Sequence, residues 1–102
     1  MASVLVLYNQ PTDPAAFDEH YKNIHIPLAK KLPGLKSYTV SKGPVRAAEG
    51  DPPYYFVAEL VFDSFDDLRN ALRSPAMQET AADLPNFAQA GATVLRYDTE
   101  EV

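Results

Sequence analysis

The sequence predicts an α+β domain of the ferredoxin-like βαββαβ kind, built on a four-stranded antiparallel sheet. Three observations predict it. Four apolar or alternating segments read as strands, the helical patterns fall after the first and third of them, and turn residues punctuate every junction. Two helices can cover only one face of such a sheet.

The elements follow in order. Residues 3–9 (SVLVLYN) are apolar and β-branched, and QPTDP ends them, so they read as a buried strand. Asp13 followed by Pro14 is an N-cap with proline at the first helical position. The first helix is expected from Pro14 to about Lys31, with Phe17, Tyr21, Ile24, Leu28 and Leu32 as its apolar stripe. Pro27 should kink or tighten it, Lys30 and Lys31 suit its C-terminal dipole, and Pro33-Gly34 stops it.

Residues 35–43 alternate and read as the second strand; residues 44–53 are a proline-rich loop. Residues 54–62 (YYFVAELVF) carry the strongest strand pattern in the chain. Ser64 with Asp67 resembles a capping box, placing a second helix from Phe65 to about Arg73. Ser74-Pro75 starts a further helical stretch to about Ala82, residues 83–90 read as irregular, and residues 92–98 form the last strand.

The bulk numbers bound the rest. With 102 residues the chain has room for one domain, residues 1–102. Hydrophobic residues make up 46% and charged residues 23%, a globular balance. A formal net charge of −5 with scattered basic residues argues against a nucleic-acid partner. No apolar run reaches the ~20 residues that span a bilayer, and no leader pattern is visible, so cytoplasm is the expected location by elimination. The absence of cysteine excludes disulfides, thiolate nucleophiles and Cys-ligated metal sites.

The sheet pattern carries a further expectation. In the third strand Tyr54, Phe56, Ala58, Leu60 and Phe62 face one side, and Tyr55, Val57, Glu59 and Val61 the other. Both sides are mostly apolar, as they are in the first strand, whereas a sheet with one solvated face alternates cleanly. The second face therefore needs a cover, and a second copy of the chain is the simplest one. Glu59, the one charge in that strand, is expected to pair with a basic residue across such an interface.

Chemistry concentrates on the first helix. His20 and His25 are the only histidines. On an ideal helix His25 lies about 60° from the centre of the apolar stripe and His20 about 80° away on the opposite side, so the two point about 140° apart. His25, one turn after Tyr21, can act near neutral pH as acid, base or donor to a bound oxygen. The same position also suits a structural histidine at a helix margin. The H-x4-H spacing is not that of a helical zinc pair, and no further cluster completes a metal shell. No Gly-rich phosphate loop or Gly-x-Ser-x-Gly string occurs. Tyr8, Tyr38, Tyr54, Tyr55 and Tyr97 all fall on expected strands. A cavity lined by such rings and one histidine suits a flat, apolar ligand bearing a few oxygens.

The segment FDEHYKNIHIPLA, Phe17 to Ala29, resembles the helix signature of the EthD family, with Phe17, Tyr21, His25, Pro27 and Leu28 at its F, Y, H, P and L positions. The following LPGLKSY and the later FDSFDDLRNALRSP are similar to the family's turn into the second strand and its second helix. The resemblance implies a dimeric α/β barrel with His25 near a pocket. The family is named for an association with ethyl tert-butyl ether breakdown and carries a loose oxidoreductase label. Its barrel relatives include monooxygenases without cofactors, isomerases and haem proteins, so the fold does not fix the reaction.

The function expected on these grounds is a cofactor-independent enzyme, of oxidoreductase or isomerase type, acting on a small hydrophobic oxygen-bearing molecule. His25 would move the proton or steady an oxyanion, Tyr21 would orient it, and His20, Tyr8, Tyr38 and Leu28 would line the substrate pocket. No cofactor or metal is expected. The alternative is a non-catalytic small-molecule-binding accessory protein of a degradation pathway.

Overall fold

The computed structural model describes residues 1–102. The order is β1 (Ala2–Tyr8), α1 (Pro14–His20), a π-helical turn (Tyr21–His25), α2 (Ile26–Ala29), β2 (Leu35–Val40), β3 (Phe56–Phe62), α3 (Phe65–Leu72), α4 (Pro75–Phe87) and β4 (Ala92–Asp98). The four strands form one antiparallel sheet in the order β2-β3-β1-β4. This is the ferredoxin-like α+β arrangement that the sequence predicts.

Local chemistry sets the element ends. The side chains of Asp13, Ser64 and Ser74 each accept a hydrogen bond from the backbone N–H three residues on, at 3.1, 3.1 and 3.2 Å, which satisfies one otherwise unpaired donor of each helix. Gly34, at φ 74°, makes the left-handed turn that closes the first helical segment into β2.

The core lies between the helices and one face of the sheet. Val4, Val6 and Tyr8 of β1 and Ala58, Leu60 and Phe62 of β3 alternate onto that face and are buried, together with Phe17, Tyr21, Leu68, Ala71 and Phe87 from the helices. The strand registers put Ser3, Leu5 and Leu7, their β3 partners Val61, Glu59 and Val57, and their β4 partners Tyr97, Leu95 and Thr93 on the opposite face. No helix covers that side.

Three sequence expectations are corrected. First, α4 does not stop near Ala82 but continues through Pro85 to Phe87. Its buried line Met77, Thr80, Leu84 and Phe87 stays in helical phase, and burying Leu84 and Phe87 outweighs the one backbone bond that Pro85 removes.

Second, the first helical segment is not uniformly α. At Tyr21–His25 the turn widens, and the Ile26 N–H donates to the Tyr21 carbonyl, five residues back. Pro27 cannot donate to Asn23 and its ring would crowd that carbonyl; the wider turn relieves both. The extra residue shifts the buried line to Phe17, Tyr21, His25, Ala29 and Leu32. Ile24 is turned out, 47% exposed, and Leu28 is only half-buried.

Third, β2 ends at Val40 and β3 begins at Phe56, so Tyr54 and Tyr55 belong to the long connection rather than to a strand. Tyr55 is held there by its hydroxyl, which donates to the Asp18 carboxylate at 2.9 and 3.0 Å.

Candidate active site

The π turn brings together what an ideal helix would hold apart. Five residues at 100° each overshoot one revolution by about 140°, but a turn bonded five residues back nearly closes on itself. His20 and His25 consequently reach the same carboxylate. His20 Nε2 lies 2.8 Å from Asp83 Oδ1, and His25 Nδ1 lies 3.0 Å from Asp83 Oδ2. Asn86 Nδ2 donates to Asp83 Oδ1 at 3.1 Å. The expectation that the two histidines diverge is thus corrected by the widened turn.

Asp83 is the residue that the sequence reading missed. It sits on the part of α4 read as irregular, and it is 5% exposed. Burial alone would raise its pKa, but hydrogen bonds from Asn86, His20 and His25 outweigh this and hold it below the usual carboxylate value. The signal that could have found it is the apolar phase of Met77, Leu84 and Phe87, which carries the helix past Pro85.

The carboxylate fixes the imidazole of His25. Nδ1 carries the proton and donates it to Asp83, leaving Nε2 with a lone pair. Burial lowers the His25 pKa, and the Asp83 contact only partly restores it, so the ring is neutral near pH 7. Phe87 packs against both imidazoles, with ring centroids 5.2 Å from His20 and 4.7 Å from His25.

Nε2 of His25 has no protein partner, yet no buried polar side-chain atom is left unpartnered, so Nε2 reaches open space. His25 lines a cavity of about 210 Å³ between the helices and the sheet. Its walls are mostly aliphatic, from Val4, Val6, Leu60 and Leu84 among others, and its polar side chains are Tyr8, Tyr21, Tyr38, His25 and Thr80. The Tyr21 and Tyr38 hydroxyls lie 2.5 Å apart. Burial raises the pKa of Tyr8, Tyr21 and Tyr38 and keeps all three phenols protonated.

Tyr8, Tyr21, His25 and Tyr38 therefore converge on one cavity. The other two residues expected at a pocket do not join them. His20 is turned to the outer side of Asp83, 27% exposed at its side chain, and lines a separate surface hollow with Asp13 and Asn86. Leu28 is absent from the cavity wall because the π turn has rotated it aside. A larger cleft of about 680 Å³ lies on the far side of Tyr21, under the connection between β2 and β3.

Fold and site together define a ferredoxin-like α+β protein with a small, mostly apolar cavity served by a carboxylate-held histidine and a pair of phenols. The chain belongs to the EthD family: the EthD domain model matches residues 9–91. It is 43% identical to an 11.0 kDa protein from the thcB-thcC intergenic region of Rhodococcus erythropolis, over 100% of this chain and 98% of that one. An EthD family protein of Bacillus halodurans superposes with a TM-score of 0.89 at 33% identity, over 98% of this chain and 99% of that one. The fold is shared more distantly with SnoaB of Streptomyces nogalater, a cofactor-independent oxygenase, with a TM-score of 0.67 at 19% identity over 99% of this chain and 94% of that one.

Proposed function

We propose that the protein is an enzyme that moves a proton on a small, hydrophobic, oxygen-bearing molecule without a bound cofactor, using His25 as the base. The observation that carries this reading is the pairing of His25 Nδ1 with a buried carboxylate while the same imidazole lines a mostly apolar cavity. A histidine held in that way is in one tautomer and one orientation, and its conjugate acid is stabilised when it forms.

The chemistry follows from the donors and acceptors. Nε2 takes a proton from an O–H, or from a carbon beside a carbonyl, and negative charge grows on the substrate oxygen. Tyr21 and Tyr38 have two hydroxyl protons between them; one lies in their mutual hydrogen bond and the other is free to donate to that oxygen. The resulting enolate can be reprotonated at another carbon, an isomerisation, or the enolate or phenolate can give its electrons to dioxygen as co-substrate, an oxidation. The resemblance in fold to SnoaB agrees with such chemistry, and the family membership agrees with a small-molecule substrate.

The working unit in this reading is a homodimer whose two sheets pack face to face. It rests on the uncovered sheet face, where Leu5, Leu7, Val57, Val61, Leu95 and Tyr97 stand together. Other ferredoxin-like proteins of this fold are described as dimeric, among them one from Thermobifida fusca.

Deuterium exchange tests the reading. In D2O the protein should wash deuterium into the carbon beside the carbonyl of small ketones such as acetophenone. His25→Asn keeps a donor for Asp83 but removes the base, and should slow exchange by roughly a hundredfold or more. Exchange at an unchanged rate would remove His25 from the reaction. Binding without exchange or any other turnover would make the protein a carrier.

A further inference from the structure

Charge, rather than size alone, sets what the cavity accepts. At about 210 Å³ it lies between the ~150 Å³ that holds a benzene and the ~300 Å³ where larger ligand pockets begin, so it has room for one ring and a short substituent. None of the residues that line it is Lys or Arg. Its donors are phenols kept neutral by burial, and the Thr80 hydroxyl is already spent on the Ala76 carbonyl at 2.7 Å. The buried Asp83 carboxylate lies directly behind His25, hydrogen-bonded by His25, His20 and Asn86 and by no Lys or Arg. The cations at neighbouring hollows stand outside its walls: Lys22 lines the outer cleft beyond the Tyr21 ring, and Arg96, exposed on β4 opposite Val4, lines a surface hollow with Arg69 and Arg73.

An anion entering this cavity would lose its hydration and find no cation in its walls, with a carboxylate close by. An uncharged ketone or phenol would instead meet a complement for each of its groups: a phenolic donor for its oxygen and the Nε2 lone pair for its acidic proton. We infer that the substrate is an uncharged, single-ring-sized ketone or phenol, and that the site rejects carboxylates of the same size. This rests on the proton-transfer reading for the role of Nε2, but the charge preference is a property of the walls alone. It also gives the entrance a role. Val94, on edge strand β4, lines the cavity yet is 54% exposed, which places it at the mouth.

Acetophenone and benzoate have the same number of non-hydrogen atoms and differ in charge. Binding of each to the intact protein is followed by methyl chemical shifts of Val4, Val6, Leu60 and Leu84, at about pH 8, above the ordinary imidazole range. Acetophenone should shift these methyls, and benzoate should bind at least roughly a hundredfold more weakly. Val94→Lys places a cation among the lining residues themselves, at an exposed position of the mouth and closer to the cavity than Arg96. It should improve benzoate binding about tenfold or more and change acetophenone binding less than about threefold. Benzoate binding to the wild type as tightly as acetophenone, with shifts at the same methyls, would overturn the inference, as would a Val94→Lys protein that still rejects benzoate equally. Failure of deuterium exchange alone would count against His25 as a base and leave the charge preference standing.

Discussion

Asp83 is where the site's chemistry and its stability meet. One carboxylate takes hydrogen bonds from two imidazoles and an amide, and its removal would leave His25 Nδ1–H buried and unpaired. The pH dependence has a definite sign. His25 has a folded pKa below 6.5 because burial disfavours its charged form, so below pH 6.5 the unfolded chain binds a proton that the folded one does not. Asp83 has a folded pKa below 3.8, so it too binds its proton more readily when unfolded. Both groups contribute their full share above these values and lose it as pH falls. The midpoint of thermal unfolding should therefore begin to drop as pH is lowered below about 6.5 and drop again in the carboxylate range. In His25→Asn the first of these two declines should be missing, which calorimetry from pH 8 to about pH 3 would read. At Tyr21 the loss is of one hydroxyl. Tyr21→Phe leaves Tyr38 without its partner and should cost about 1–2 kcal/mol in denaturant unfolding. It should also slow deuterium exchange by roughly tenfold or more, because the growing negative charge loses a donor. A variant with lower stability but unchanged exchange would confine Tyr21 to packing.

At the scale of elements, the strands were legible and the site was not, for physical reasons. Strand side chains alternate with a period that no local distortion alters without flipping a face, so β1 and β3 could be read from Val4, Val6, Ala58 and Leu60 directly. The helical wheel has no such protection. One added residue at Tyr21–His25 turned Ile24 outward and His25 inward, and it put H-x4-H onto one carboxylate, although a regular helix would separate the two rings. Pro85 hid the second half of the site in the same way, because proline in a helix is usually read as its end. His25 and Tyr21 could be singled out from the sequence; Asp83, which positions one of them, could not. If Pro27 causes the wide turn, Pro27→Ala should let the segment relax to α-helical bonding. The His25 Nδ1–Asp83 bond should then be lost, and the imidazole should show a mixture of tautomers by nitrogen-15 NMR while the sheet resonances stay in place. Retention of the single Nδ1–H tautomer would assign the π turn to packing around Phe87 instead.

The whole molecule is a sheet with helices on one side only, and its bare side is too apolar to be left to water. Across it run the rows Tyr97–Ser3–Val61, Leu95–Leu5–Glu59 and Thr93–Leu7–Val57, continued on β2 by Ser37 beside Val61 and Thr39 beside Glu59. The apolar residues crowd toward β1 and β4, where Leu95 is 46% exposed, and the polar ones toward β2. No Lys or Arg stands in these rows, and Glu59 is paired in register with Thr39 of β2. A two-fold interface centred on Leu5 and Leu95 would bury the apolar half and keep Glu59 toward the wetter β2 side. This geometry distinguishes two substitutions on one face. Leu95→Glu puts a charge into the apolar half of both copies and should convert a dimer to a monomer in sedimentation velocity at micromolar concentration. Thr39→Glu, on the same face but on the β2 side, should leave the dimer in place. Equal sedimentation of Leu95→Glu and the wild type would mean that this face is not where two copies meet. The internal cavity, whose lining residues on the sheet stand on the opposite face from Leu95, should still bind acetophenone in the Leu95→Glu monomer.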